Sequence, residues 1–310
     1  MSVADLARGE SGKPHTGAAT LPDERLPRVW QALDIPGIAD VHVHFLPDRL
    51  QQRVWSYFDR GGPLLGRPIP VTYRYSEQER IRRLREMGVL AWTCLVYPHK
   101  AGMSAALNSW AIKFAAEVPE AIPTATFFPE PDAGRYLQEA LEAGARAVKA
   151  HVAVGRYDPR DAMLRPVWGL LEQTGTPVII HASSSPASPF TGPGPIGEVL
   201  AKFPRLRLIF AHAGSPETAG FLLLCARFAE CRIDLSMVFD DFLGQEGADP
   251  LWFRSQLRGM ADKVLWGSDY PSIPNPVAHQ VTRLLQAGFS DDWLRRVLWR
   301  NARELFGLQP

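Results

Sequence analysis

The 310-residue chain carries 34 Lys and Arg against 33 Asp and Glu, and a net charge of +1 leaves no electrostatic footprint for gripping nucleic acid or an anionic membrane. With 46% hydrophobic and 22% charged residues it has the composition of a globular protein with a large core, which excludes a disordered or fibrous chain. Three cysteines, Cys94, Cys225 and Cys231, are too few and too scattered for a disulfide framework or a Cys-rich zinc site, and their odd number fits a reducing compartment, so a cytoplasmic location is expected.

Residues 1–36 are rich in Gly, Ser, Thr, Pro and charge, lack an apolar signal-like core, and are expected to form a flexible N-terminal arm. No run of about 18 apolar residues follows, so no membrane span is expected. Short runs rich in Val, Ile, Leu and Phe begin near Val41, Val89, Ala121, Ala145, Pro177, Leu206, Cys231 and Lys263. Their spacing averages about 32 residues, the length of one βα unit, which makes the strands parallel. Between them, Ser76-Glu-Gln-Glu79 forms a capping box whose helix closes at Gly88, and Gly144 and Gly175 close two more helices. Asp158-Pro159, Ser215-Pro216, Asp249-Pro250 and Asn275-Pro276 read as caps followed by a proline in the first helical position. Eight such repeats with right-handed crossovers predict an α/β chain folded as one closed (β/α)8 TIM barrel over residues 37–310, with an open doubly wound sheet as the alternative. A helical cap is expected from about Ser290 to Leu308.

The first βα connection, Phe45 to Tyr75, is long, aromatic and arginine-rich. Loops of this length are usually functional, and loops after barrel strands lie on the catalytic face, so it is expected to line a substrate pocket; a decorative insertion is the competing reading. Its arginines 49, 53, 60, 67 and 74 can recognise a carboxylate.

Of eight histidines, His42, His44, His99, His151, His181 and His212 lie in or at the ends of predicted strands, and only His15 and His279 fall elsewhere. In Asp40-Val-His42-Val-His44 the two imidazoles share one strand face and the valines the other, because side chains alternate with period two. Core histidines satisfied by hydrogen bonds are the bland alternative. Ile180-His181-Ala182, Ala211-His212-Ala213-Gly214 and Gly267-Ser268-Asp269-Tyr270-Pro271 each place one coordinating or proton-handling residue where a loop begins. Lys149 and His151 alternate with Val148 and Ala150 and can face the barrel interior, as can Asp234 and Ser236 on the seventh strand. His99 stands at the mouth of the second strand.

In this chain order the residues resemble the amidohydrolase superfamily, particularly the amidohydrolase-related family that includes aminocarboxymuconate semialdehyde decarboxylase and related aromatic-acid decarboxylases. The resemblance spans about residues 38–308, including Asn301-Ala-Arg-Glu-Leu-Phe306. It implies that His42, His44, His181 and Asp269 are metal ligands and that His212, with Asp269, activates water or moves protons. The ligand set suits one Zn²⁺, with Mn²⁺, Fe²⁺ or Co²⁺ as alternatives, and leaves a position for water. Lys149 corresponds to a lysine that dinuclear relatives carbamylate; a structural ion pair or substrate contact is the favoured reading here, with His151, His99 and Asp234 as further substrate-binding candidates. The resemblance also leaves a homodimer open.

Two chemistries fit such a site: hydrolysis of a lactone, amide or ester-like carbonyl in a small carboxylated substrate, or decarboxylation of an aromatic or muconate-type acid. Ser215 stands where the decarboxylases commonly carry a glutamate, which favours the hydrolase, whereas Ser268-Asp269-Tyr270-Pro271 is close to the decarboxylase branch. A non-catalytic barrel is the third possibility, and the complete ligand set argues against it.

Overall fold

A computed structural model describes residues 21–61, 66–181, 188–240 and 250–309. His15, Gly62-Pro63, Ala182 and Asp249, together with residues 1–20 of the expected arm, lie outside the described residues. Nine short parallel strands run in chain order: β1 Ile38–Asp40, β2 Val89–Thr93, β3 Ala121–Ile122, β4 Thr124–Thr126, β5 Ala147–Ala150, β6 Val178–Ile180, β7 Leu208–Phe210, β8 Arg232–Asp234 and β9 Val264–Leu265. They pair as β1-β2-β3 and β4-β5-β6-β7-β8-β9, each with its sequence neighbour. The third of the eight expected strands is split into β3 and β4 at Pro123, a residue with no N–H to give to a ladder. The ends of the series meet: Val41 N–H donates to Trp266 O (3.0 Å), Asp269 N–H to His42 O (2.8 Å) and His44 N–H to Tyr270 O (2.8 Å). The α/β barrel architecture is therefore as expected, with helices between successive strands.

Apart from Leu90 in β2 and Arg232 in β8, the strand residues are buried on both faces, as a parallel sheet covered by helices requires. Ser76 caps the helix Glu77–Glu86 by accepting from Glu79 N–H, and the chain turns left-handed at Gly88 (φ +73°). The expected C-terminal cap forms over Asp291–Arg295, a π turn at Arg296–Arg300 and the helix Asn301–Phe306. Asn301 Nδ2 fastens it to the last strand by donating to Ala261 O and Val264 O.

Several local expectations differ. Residues 26–32 of the supposed arm form a helix that buries Leu26, Val29 and Trp30, with Trp30 Nε1 donating to Met87 O; the i, i+3, i+4 spacing of these residues outweighs the polar leader before them. The connection after β1 is largely a helix, Asp48–Arg60, closed at Gly61 in the left-handed region. Its Gln51 and Trp55, one turn apart, are buried. Asp158-Pro159 opens no helix: Asp158 is engaged by Arg160, and Asp161 caps the following turn through Met163 N–H. The helix expected at Ser215-Pro216 starts at Thr218, after Glu217, which makes no side-chain cap bond. Among the described residues no helix is long and apolar enough to cross a membrane.

Candidate metal centre

The barrel converges at the C-terminal ends of β1 and β9. His42 and His44 continue β1 with alternating faces, so Val41 and Val43 pack into the core while both imidazoles turn inward. Gly267, just after β9, makes that possible: a Cβ there would stand 2.7 Å from His42 Cβ. Among the described residues two groups of donor atoms lie within 4.8 Å of one another: His42, His44 and Asp269, and His42, His212 and Asp234.

Hydrogen bonds assign each ring its role. His42 Nδ1 lies 2.9 Å from Asp234 Oδ2, and a carboxylate can only accept, so the proton sits on Nδ1 and the Nε2 lone pair faces inward. His44 Nδ1 faces the Leu95 carbonyl at 3.2 Å and is fixed in the same tautomer. Both Nε2 atoms then converge on Asp269 Oδ1, at 3.5 Å from His42 and 3.2 Å from His44. Burial first, and then the Lys149 charge, hold the His42 pKa down at about 4, and burial depresses that of His44. Both rings are neutral at neutral pH, the form that can ligate a metal. Burial opposes the charge of Asp269, yet in this ring of histidines its pKa stays below the ordinary carboxylate range and the side chain is ionised. Two neutral imidazoles and one carboxylate aimed at one point suit a divalent cation of borderline hardness.

Behind these donors lies a polar hub. Asp234, fully buried, accepts from His42 through Oδ2 and from the backbone N–H groups of His212 and Ser236, both 3.0 Å, through Oδ1. The Ser236 hydroxyl also meets Asp234 Oδ1 and reaches Nδ1 of both His42 (3.1 Å) and His212 (2.9 Å). His212 Nδ1 faces the Ser236 carbonyl at 3.1 Å, so its proton is on Nδ1 and Nε2 carries the free lone pair. Fully buried and engaged by His42, His212 and Ser236, Asp234 is placed to hold the His42 ring in position. Replacing Asp234 by Asn would turn an amide N–H₂ toward at least one of these donors. Asp234→Asn is therefore expected to weaken metal binding by roughly 10–100-fold, as loss of a ligand's hydrogen-bonding partner generally does. Competition against a chromophoric chelator measures it, and an unchanged affinity would remove Asp234 from this role.

The backbone bears the strain expected of a functional site. His212 (φ +57°) and Asp269 (φ +68°) both occupy the left-handed region without being glycine. Gly214 permits the turn at His212, since a Cβ there would lie 2.1 Å from the Phe221 ring.

Other expected site residues fall in different places. Lys149 lies one residue from the end of β5, fully buried, and its Nζ reaches 2.9 Å from His42 Nε2. Burial lowers its pKa to about 8, with the carboxylates of Asp269 and Asp234 opposing. His181 belongs to neither donor group; its ring stacks on His151 at 4.2 Å and lies 5.1 Å from that of His212. His151 caps a short helix by accepting from Val154 N–H, and burial and its histidine and lysine neighbours keep its pKa well below the ordinary value. His99 is exposed. Sequence reasoning missed Tyr97, whose ring stands 5.3 Å from His44 and 4.8 Å from His151. Its position just after β2, two residues before His99, was the available signal. It also gave no role to Asp40, which shares the His42 face and ties β1 to β9 by accepting from His42 and Ser268 N–H.

A model of the family described as Amidohydrolase matches residues 39–308. Among solved structures the chain is similar to an uncharacterised TIM-barrel protein from Bordetella bronchiseptica, at 20% identity and a TM-score of 0.68 over 87% of this chain and 98% of that one. A candidate 2-pyrone-4,6-dicarboxylic acid hydrolase from Pseudomonas putida matches at 18% identity and TM-score 0.62, covering 88% and 99% of the two chains. A 5-carboxyvanillate decarboxylase from Novosphingobium aromaticivorans, complexed with manganese and 4-hydroxy-3-methoxy-5-nitrobenzoic acid, matches at 14% identity and TM-score 0.63, covering 88% and 96%. No curated protein matches.

Proposed function

The chain belongs to the amidohydrolase family of metal-dependent enzymes, and on that footing we propose that it is a hydrolase acting on a lactone, amide or ester-like carbonyl of a small carboxylated substrate. The convergence of His42 Nε2, His44 Nε2 and Asp269 Oδ1, with the His212 tautomer set by the Ser236 carbonyl, carries this reading. These three residues hold one divalent cation, taken as zinc with manganese, iron or cobalt as alternatives, and His181 is the fourth candidate ligand. When bound, the cation polarises a carbonyl and acidifies water. His212 Nε2 takes a proton from the attacking water and passes it to the leaving group, and its Nδ1–H bond to Ser236 O keeps the ring aimed through both transfers. Asp269, as an ionised carboxylate beside both imidazoles, provides a second acceptor for that proton.

A carboxy-lyase on the same residues is the second reading, supported by Ser268-Asp269-Tyr270-Pro271 and by the likeness to a manganese-containing decarboxylase. Here the His212 partner is a backbone carbonyl, with Ser215 where the decarboxylases commonly carry a glutamate, which supports the hydrolase. A panel of lactones, amides and aromatic or muconate carboxylic acids, followed for acid release and for CO₂ together, tests both. Acid release without CO₂ is the expected result; CO₂ as the only product assigns the carboxy-lyase instead.

A further inference from the structure

Outside the metal centre, a cavity of about 300 Å³ opens between the helix Asp48–Arg60 and the segment after β2. Arg49, Arg53, His99 and Lys100 are exposed around it, and the lining itself is almost wholly apolar, a floor made with Pro47, Leu50 and Met103. Like charges gathered in this way oppose folding. Arg49 and Arg53 stand one turn apart on the same helix, a spacing at which cations repel. Arg49 also lies in the helix's first turn, where the dipole disfavours positive charge. Among the described residues no carboxylate forms an ion pair with Arg49, Arg53 or Lys100. Burial, and then the charges of Lys100 and Arg53, disfavour the His99 proton, so the positive field reaches across the cavity. The chain's overall balance of charge makes this cluster a local feature.

We propose that this cavity binds an organic anion, its apolar body resting on Leu50 and Met103 and its carboxylate held by the cations around the opening. The exposed guanidinium and ammonium groups around the opening reach the carboxylate oxygens, and the apolar floor removes the hydrocarbon from water. The two segments that build it are those carrying His44 and Tyr97, three residues before Pro47 and two before His99. It is therefore placed to hold the far anionic group of a substrate whose reacting carbonyl lies at the metal centre. That role rests on the proposed function, whereas the binding itself does not. His99, expected to touch substrate, thereby takes its place at the outer end of the site.

Isothermal titration of the full chain, and of its Asp269→Asn variant, with sodium benzoate and with inorganic phosphate tests the proposal. Benzoate is expected to bind both proteins and to bind more tightly than phosphate, which cannot use the apolar floor. Arg53→Ala and Lys100→Ala, both at exposed positions, should each weaken benzoate about tenfold, the loss of one charge-assisted hydrogen bond. No detectable benzoate binding, an affinity untouched by either substitution, or phosphate binding as tightly as benzoate would overturn it. Binding lost only in Asp269→Asn places the anion at the metal centre and likewise overturns the cavity assignment. Binding that survives in Asp269→Asn while no carbonyl substrate is turned over leaves the cavity standing and the hydrolase reading fallen.

Discussion

Asp269→Asn is expected to empty the metal centre and abolish turnover while the barrel stays folded. Three features make asparagine the informative replacement. The side chain is nearly isosteric, it tolerates the left-handed backbone that Asp269 adopts (φ +68°), and it removes only the charge that His42 Nε2, His44 Nε2 and Lys149 Nζ face. Loss of an anionic ligand should exceed the roughly 10–100-fold effect of losing a ligand's hydrogen-bonding partner. His42→Ala should empty the site as well but also destabilise the fold. It leaves the buried Asp234 carboxylate without the imidazole N–H that stands 2.9 Å from it, and a buried acceptor left without its donor costs about 1–3 kcal/mol, more when it is charged. Elemental analysis of purified and metal-reconstituted protein, together with thermal unfolding, separates the two cases. A full complement of metal in Asp269→Asn would show that the three donors do not form the binding site.

The fold was legible because its signal is repeated. Each strand is a short apolar run, each recurs at the length of one βα unit, and a misplaced boundary in one repeat leaves the others unaffected. What escaped were features decided by a single local competition. Residues 26–32 follow a polar leader, and the packing of Trp30 against the turn at Met87 made them a helix. Asp158 had two options, a cap or the adjacent guanidinium, and Arg160 took it.

The same division runs through the site. His42 and His44 announce themselves by period-two alternation, and Asp269 by its place after the last strand. The choice between ligand and support does not show in such a pattern, because it depends on which ring nitrogen meets which acceptor across the barrel. Asp234 lies 192 residues from His42 in sequence and meets it only when β8 and β1 stand on the same cylinder. His181 is at an expected strand end, yet its ring lies against His151, a contact between two loops that no local motif encodes.

His212→Asn is the second change from which a large effect is expected, and it should act on catalysis without emptying the metal centre. His212 is no member of the group formed by His42, His44 and Asp269, and asparagine again accommodates the left-handed backbone (φ +57°). Its backbone N–H remains to donate to Asp234 Oδ1, so the hub that orients His42 keeps one of its main fastenings. What disappears is a titratable nitrogen, on the imidazole held by the Ser236 carbonyl. A positioned general base contributes about 10²–10⁴-fold, and kcat should fall by that factor with metal content unchanged. Ser236→Ala supplies the complementary measurement, because it deletes the hydroxyl shared by the two histidines but leaves the carbonyl that fixes the His212 tautomer. A much smaller loss is expected there than in His212→Asn. Equal losses in the two variants would assign proton transfer to the hydroxyl network, and a normal rate in His212→Asn would leave Asp269 as the proton acceptor.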